Sequence, residues 1–304
     1  MNKKIICLNY TFTDWMKGPF LGHIHSNEGR RKESDLSIDD YLKFLEKVGY
    51  ANNVLAMAEH PTSTSDPREI NSDDKDRIIK EITHIHLINQ QKLYRTSVFS
   101  GLEVDFINTD GRFSLPDDIL AKVDYAIISL HNILKDNHSI GGNNLSAREI
   151  THLYNSAMYN RLINVLGHPT RYLSLEKIRE IDWNMIFSAA KRNNIAVEIN
   201  YREPMLNLYP EQNNAGANAY MNGLEEVFNI ARRIGVKFFI GFDIHNRADF
   251  IENSDNGVLQ FKKCFLDRLQ RIFDKLNSAG LIKEDIINSS YENFINFINL
   301  KPRT

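Results

Sequence analysis

Short apolar runs alternate with amphipathic stretches along this chain from about residue 20 onward. Residues 54–58 form an unbroken apolar run, and the stretch that opens at Ser72 repeats isoleucine at helical spacing. Repeated strand-then-helix order favours parallel strands that are joined by right-handed crossovers and closed, or nearly closed, on themselves. Seven such strands can be counted, which predicts an α/β fold. The seven runs are 21–25, 54–58, 98–106, 125–130, 162–166, 195–199 and 236–242.

The length and composition of the chain are consistent with one large domain. The chain has 304 residues, of which 42% are apolar, and this is ordinary for a protein with a real core. No linker rich in proline, glycine or serine interrupts it. We therefore expect a single domain over residues 1–304, with a motif-bearing core at about 20–250 and helices over 259–298.

Charge and cysteine content narrow the choice of partners and compartment. A formal net charge of -2 gives no basic face of the kind that binds nucleic acid without sequence preference, so a nucleic-acid partner is compatible with the chain but unsupported. Cys7 and Cys264 lie too far apart in sequence to suggest a disulfide framework or a thiolate zinc site. No segment has the length of a membrane span. We expect a cytoplasmic protein with no membrane partner.

Histidines and carboxylates recur at the ends of the predicted strands. Carboxyl ends of parallel strands meet at one mouth of a barrel, and imidazole and carboxylate side chains are common ligands of divalent metals. The pattern therefore predicts a metal-dependent hydrolase. The candidate ligands are His23, His25, His60, Glu103, His131, His168, Asp243 and His245.

Two identical His-Ile-His triplets test the importance of the strand context. His23 and His25 lie on a predicted strand, where residues two apart point to the same face and can bind one ion. His84 and His86 lie in the helical stretch after Ser72, where they would point about 200° apart. We interpret the second pair as helix-surface or core-edge residues, and the isolated His138 and His152 as solvated side chains.

The ordered set of motifs resembles the PHP (polymerase and histidinol phosphatase) superfamily. The motifs that carry the resemblance are His23-x-His25, His60, Gly101-x-Glu103, His131, Gly167-His168-Pro169 and Asp243-x-His245. The resemblance implies a distorted seven-stranded (β/α)7 barrel, with a two- or three-metal site at the C-terminal ends of the strands, acting on phosphoesters.

The resemblance also implies which residues hold each ion. His23, His25, Glu103 and Asp243 would hold the first ion. Glu103 would bridge to a second ion, held by His131 and His168, and His60 with His245 would help to hold a third. Mixed imidazole and carboxylate ligands suit zinc, manganese and iron almost equally.

One position departs from the pattern of the family. A further ligand often stands six residues after the second histidine of the His-x-His pair, and here that residue is Arg31. Glu28 lies close enough in sequence to substitute. Whether a third ion has a complete site is therefore left open.

The expected reaction is hydrolysis of a phosphate monoester through a metal-bridging hydroxide. Among the ligands, Asp243, His245 and Glu103 are the candidate catalytic residues. Arg171, three residues after His168, is the candidate for binding the phosphate, because a guanidinium group presents a fork to two phosphoryl oxygens. Glu198 ends a predicted strand and could point into the mouth, but polar residues at strand ends often only satisfy the barrel rim, so Glu198 is not included in the ligand set.

Three functions remain open at this point. The first is a histidinol-phosphatase-like phosphoesterase with a small-molecule substrate. The second is a phosphodiesterase or exonuclease acting on nucleotides or nucleic acid, for which Tyr172 and Tyr201 could stack bases. The third is a non-catalytic module that metal ions stabilise. The substrate, the metal and the oligomeric state are beyond the reach of the sequence.

Overall fold

The computed structural model describes residues 10–28, 34–48, 53–62, 68–135, 138–202, 205–206, 208, 215–253 and 259–301. Its helices are α1 (Phe12–Met16), α2 (Ile38–Val48), α3 (Ser72–Gln91), α4 (Asp117–Leu120), α5 (Ala147–Ala157), α6 (Leu175–Glu180), α7 (Trp183–Arg192), α8 (Ala215–Ile234), α9 (Lys263–Ser278) and α10 (Tyr291–Ile298). Its strands are β1 (Phe20–Ile24), β2 (Val54–Met57), β3 (Ser97–Phe99), β4 (Gly101–Asp105), β5 (Tyr125–Ser129), β6 (Asn132–Lys135), β7 (His138–Gly141), β8 (Val165–Leu166), β9 (Ala196–Asn200), β10 (Phe238–Ile244), β11 (Ile251–Asn253) and β12 (Leu259–Phe261).

The main sheet is parallel and almost closes into a barrel. Over the described residues it has eight strands, in the order β3-β2-β1-β10-β9-β8-β5-β4. Its two ends, β3 and β4, are consecutive in sequence. Beyond the end of β2, Glu59 makes an isolated bridge to Leu102 of β4, which brings the ends of the sheet together. The predicted α/β barrel is therefore confirmed.

The strand count differs from the prediction because the run at 98–106 is divided. β3 pairs with β2, whereas β4 pairs with β5, so the chain changes neighbour at Ser100. At this change of neighbour, the backbone N–H of Ser100 donates to Asp124 Oδ2 at 2.7 Å, so a side chain supplies the hydrogen-bond partner that a neighbouring strand would otherwise provide. At Gly101, a Cβ atom would overlap the Tyr125 ring and the Met57 carbonyl oxygen, so only glycine fits at this crossing.

Helix α10 closes the N-terminal end of the barrel. Its residue Phe294 is fully buried in an apolar cluster with residues that point into the barrel from the strands. The ring centroid of Phe294 lies 5.1 Å from that of Phe20, 4.9 Å from Phe99 and 5.3 Å from Tyr125. This end of the barrel is therefore stabilised by apolar burial, which leaves the other end for polar side chains.

The C-terminal stretch predicted as helical over 259–298 does contain α9 and α10, but it begins with a strand. Strand β12 pairs antiparallel with β11, and the helix starts only at Lys263. Phe261 is buried, with its ring 6.0 Å from that of Trp15 and 5.0 Å from that of Phe44. The extended backbone at Phe261 is compatible with packing against these rings, which are distant in sequence, and this packing overrides the continuous helical pattern.

A second short hairpin follows His131. Strands β6 and β7 pair antiparallel, and His138 is exposed at the start of β7. His152 is exposed on α5, and His84 and His86 both lie on α3, as predicted. In the part of the chain that the structure describes, no helix is both long and apolar enough to cross a membrane.

Replacing Phe294 with alanine should destabilise the protein by about 3–5 kcal/mol, because the change leaves a cavity among large aromatic side chains. Urea unfolding followed by circular dichroism would measure the loss in free energy of unfolding. Asn296→Ala, on the exposed face of the same helix, is the matched control and should change this free energy by less than about 0.5 kcal/mol. Equal effects of the two substitutions would contradict the proposed role of α10.

Candidate metal centre

Glu103 lies at the centre of the mouth formed by the C-terminal ends of the strands. Its side chain is fully buried on β4. Oε2 of Glu103 lies 3.0 Å from His23 Nε2, 3.0 Å from His60 Nε2 and 3.6 Å from His25 Nε2. Three imidazoles from two other strand ends therefore converge on one carboxylate oxygen.

The other oxygen of Glu103 faces a different pair of imidazoles. Oε1 lies 2.8 Å from His168 Nε2 and 3.7 Å from His131 Nε2. His131 follows β5 and His168 follows β8, on the opposite side of β4 from β2. The two oxygens of Glu103 thus divide the imidazoles into two sets, as expected of a carboxylate that bridges two ions.

Asp243 links the remaining candidates. Its Oδ1 lies 2.8 Å from His245 Nε2 and 3.4 Å from His25 Nε2, while Oδ2 accepts a hydrogen bond from Arg171. The His245 ring stacks on that of His25, with centroids 4.3 Å apart. His245 is 22% exposed and Arg171 is 14% exposed, so both lie at the opening of the site.

The backbone of two candidate ligands is in the left-handed region. His23 has a φ of 56° and Asp243 has a φ of 51°, on the neighbouring strands β1 and β10. The register of β1 shifts between Gly22 and Ile24, so His23 lies at an irregularity rather than in a regular pleat. This conformation costs non-glycine residues on the order of 1 kcal/mol or more, and such strain concentrates at functional sites.

Sequence reasoning missed Asp105 as a site residue. It is buried on β4, and its Oδ1 accepts a hydrogen bond from His131 Nδ1 at 2.5 Å. Its Oδ2 lies 3.9 Å from His60 Nδ1. The spacing Glu103-x-Asp105 was the available signal, because residues two apart on a strand share a face. Glu198 also reaches the centre, where its Oε1 accepts from His23 Nδ1 at 2.6 Å.

The Glu28 carboxylate contacts groups other than the candidate ligands. Its Oε1 accepts from the backbone N–H of Ile38 at 3.3 Å, and its Oε2 lies 3.2 Å from Nδ1 of His84. The structure thus shows Glu28 tying the loop after His25 to α2 and α3, rather than substituting for a ligand. Arg31, which stands at the expected ligand position, lies outside the described residues.

Burial and neighbouring charges shift the pKa values of the cluster in different directions. Burial lowers the pKa of His25 to about 4 and holds the pKa of His60 well below its usual value. For Glu103, burial alone would raise the pKa, because it disfavours the charged carboxylate. The imidazoles around Glu103 outweigh this effect and hold its pKa well below the usual range. For His131, burial is outweighed by Asp105 and Glu103, which raise the pKa to about 9.

The convergent side chains could hold divalent metal ions. Among the described residues, four groups of three bring their ligand atoms within 4.8 Å of one another. They contain seven of the eight predicted ligands, and only His245 belongs to none. The groups are His23, Glu103 and His168; His23, His25 and Asp243; His25, His60 and Glu103; and His60, Asp105 and His131.

Comparison with known proteins agrees with this arrangement. No family model matches the chain. A protein named probable phosphatase from Clostridium acetobutylicum is 25% identical over 213 residues, which are 70% of this chain and 72% of that protein. The DNA polymerase/3'-5' exonuclease PolX from Bacillus subtilis is 23% identical over 242 residues, or 79% of this chain but 36% of that protein.

A solved structure has the same fold. The histidinol phosphate phosphatase of Lactococcus lactis, in complex with zinc, L-histidinol and phosphate, has a TM-score of 0.55 and 16% identity, over 86% of this chain and 94% of that chain. The barrel, the order of the ligand motifs along it and these relatives agree. The predicted resemblance to the PHP superfamily is therefore confirmed.

The metal-free protein should lose stability as the pH rises from about 6.5 to about 9. The raised pKa of His131 means that its charged form stabilises the fold fully below its ordinary pKa of 6.5, and that this contribution is lost as the pH passes its folded value of about 9. One pKa unit corresponds to about 1.4 kcal/mol, so the expected loss is on the order of 3 kcal/mol. Urea unfolding of chelator-treated protein across this range would measure it.

Asp105→Asn should flatten this alkaline decline, because the substitution removes the charge that favours protonated His131. Asp110→Asn, at an exposed position five residues further along, is the control and should leave the decline unchanged. An identical pH dependence in wild type and Asp105→Asn would show that Asp105 does not hold the proton on His131.

Proposed function

We propose that this protein is a metal-dependent phosphoesterase that hydrolyses a phosphate monoester in a histidinol-phosphatase-like reaction. One observation carries the proposal: both oxygens of the buried Glu103 carboxylate face imidazoles, and an arginine lies at the opening of the same site. The related protein from Clostridium acetobutylicum, which is named probable phosphatase, supports the same class of reaction.

We further propose that two or three divalent ions, zinc, manganese or iron, occupy the centre. The donors fit them, because nitrogen and carboxylate oxygen atoms converge from separate strands without any thiolate. Glu103 would bridge the two principal ions and His60 with His245 would serve a third. When bound, such ions activate water and neutralise charge on phosphoryl oxygens. The remaining ligands would be His23, His25 and Asp243 on one side, and His131 and His168 on the other.

Arg171 is the residue proposed to bind the phosphate group. It is partly buried beside Asp243, and its guanidinium carbon lies 4.8 Å above the Tyr172 ring centroid, which holds the group at the mouth. A guanidinium can donate two parallel hydrogen bonds to phosphoryl oxygens. His245, which is 22% exposed, lies on the same side through its contact with Asp243.

A small-molecule monoester is the proposed substrate, and a diester is the alternative. The similarity to PolX favours the alternative, and Tyr172, which is 57% exposed beside Arg171, could stack a base. The formal net charge of -2 provides no general attraction for nucleic acid. The near-complete set of ligands weighs against a non-catalytic module. A cytoplasmic location stays part of the proposal, supported by two cysteines far apart in sequence.

Phosphate release from a panel of phosphomonoesters, histidinol phosphate included, should exceed turnover of a generic phosphodiester with Mn- or Zn-loaded protein. His131→Ala should reduce this activity more than about 100-fold, because loss of a ligand should cost at least as much as loss of a residue that orients one. The matched control, His152→Ala, alters an exposed histidine on α5 and should retain full activity.

The outcome of the panel distinguishes the three functions. Preference for the diester would replace the monoesterase with the phosphodiesterase. Metal binding without turnover of either class would favour the non-catalytic module. Monoester activity that survives His131→Ala would place the reaction at another site.

Arg171→Lys should lower kcat/KM for the monoester about 10- to 100-fold, because a lysine cannot make the paired hydrogen bonds of a guanidinium. Steady-state kinetics with the preferred monoester would measure the effect. Arg148→Lys, at an exposed position on α5, should have none. Unchanged kinetics of Arg171→Lys would remove Arg171 from substrate binding.

A further inference from the structure

Glu198 extends from β9 to candidate ligands on both sides of it in the barrel. The side chain is fully buried. Its Oε1 accepts from His23 Nδ1 at 2.6 Å, and its Oε2 accepts from the backbone N–H of His168 at 2.6 Å. Strand β9 neighbours β8 but is separated from β1 by β10. One carboxylate therefore joins two ligand positions that lie on different strands.

Gly241 provides the space for this reach. It lies on β10, the strand between β9 and β1, opposite Gly22 of β1. A Cβ atom at position 241 would overlap Glu198 Oε1 and lie 2.7 Å from the carboxylate carbon. Only glycine therefore lets the Glu198 side chain cross β10. The sequence Gly241-Phe242-Asp243 thus supplies both this space and a candidate ligand.

The contact with His23 has a chemical consequence. When Nδ1–H of His23 donates to Glu198, Nε2 is the ring nitrogen left to bind a cation, and it lies 3.0 Å from Glu103 Oε2. Metal-binding histidines commonly donate their other N–H to a carboxylate, which fixes the tautomer and the orientation of the ring. Each oxygen of Glu198 already accepts from a protein donor, so this arrangement suits an orienting residue better than a ligand.

We propose that Glu198 is a positioning residue of the metal centre: it fixes the tautomer of His23 and the backbone at His168, and so holds together the ligands on the two sides of Glu103. The inference rests on the metal centre of the proposed function, but it does not depend on the substrate or on catalysis.

The test replaces Glu198 with glutamine in the full chain. Glutamine has one oxygen that accepts and an NH₂ group that only donates. Its oxygen can accept from the His23 ring or from the His168 backbone N–H, but its NH₂ group would then face the other of these two N–H donors. Zinc and manganese affinity, measured by competition with a chromophoric chelator, should fall about 10- to 100-fold. In zinc-loaded protein labelled with ¹⁵N-histidine, NMR should show His23, identified by comparison with His23→Gln, changing its tautomer or orientation.

Asp124→Asn is the matched control. Asp124 is likewise a carboxylate that accepts a backbone N–H, that of Ser100, but at the opposite end of the barrel. Its substitution should leave metal affinity and the His23 signals unchanged. Glu198→Asp is a second test, since it keeps the charge but is too short to hold both partners, and it should also weaken metal binding.

Circular dichroism of the metal-free variants separates folding from positioning. A folded Glu198→Gln or Glu198→Asp protein with wild-type metal affinity and an unchanged His23 tautomer would overturn the proposal. If neither variant folds, Glu198 supports the barrel itself and the proposal is also overturned. A negative phosphatase panel would leave these results intact, because metal affinity is measured without substrate.

Discussion

The buried carboxylate of Glu103 and the imidazoles around it are the interaction on which the site depends. An isolated carboxylate is costly to bury, and the charge is retained only because neighbouring imidazoles hold its pKa well below the usual range. Those imidazoles come from the ends of β1, β2, β5 and β8. These strands lie on both sides of β4, so their imidazoles can surround the Glu103 charge only if the barrel is nearly closed. The chemistry of the site therefore depends on the topology of the sheet.

The two ends of the barrel have different physical roles. At the N-terminal end, Phe294 and the aromatic residues around it bury apolar surface, and the one hydroxyl among these rings, that of Tyr125, donates to the Ala56 carbonyl oxygen. At the C-terminal end, His23 and Asp243 adopt left-handed backbone conformations beside a dense group of titratable side chains. Strain and charge at one end are compatible with a stable fold because apolar packing at the other end offsets them.

Local patterns predicted the elements well where periodicity and capping agreed. The helix after Asn71 and the helix after Ser146 begin where their capping residues stand. Prediction was less successful where long-range packing decides the outcome. Ser100 divides one apolar run into two strands because the chain changes partner there, and 259–261 is extended because Phe261 packs against distant aromatic rings. Neither partner is visible in a local window of sequence.

The sequence by itself determined the barrel class and the set of candidate ligands, because strand periodicity and the order of the motifs are local properties. It could not assign Glu28, Asp105 and Glu198. Glu28 lies near a ligand in sequence but contacts His84 and α2. Asp105 accepts a hydrogen bond from Nδ1 of His131, which is 26 residues away in sequence. Glu198 accepts one from Nδ1 of His23, which is 175 residues away. Only the tertiary structure decides such pairs, because hydrogen bonding depends on distances across strands that sequence spacing does not encode.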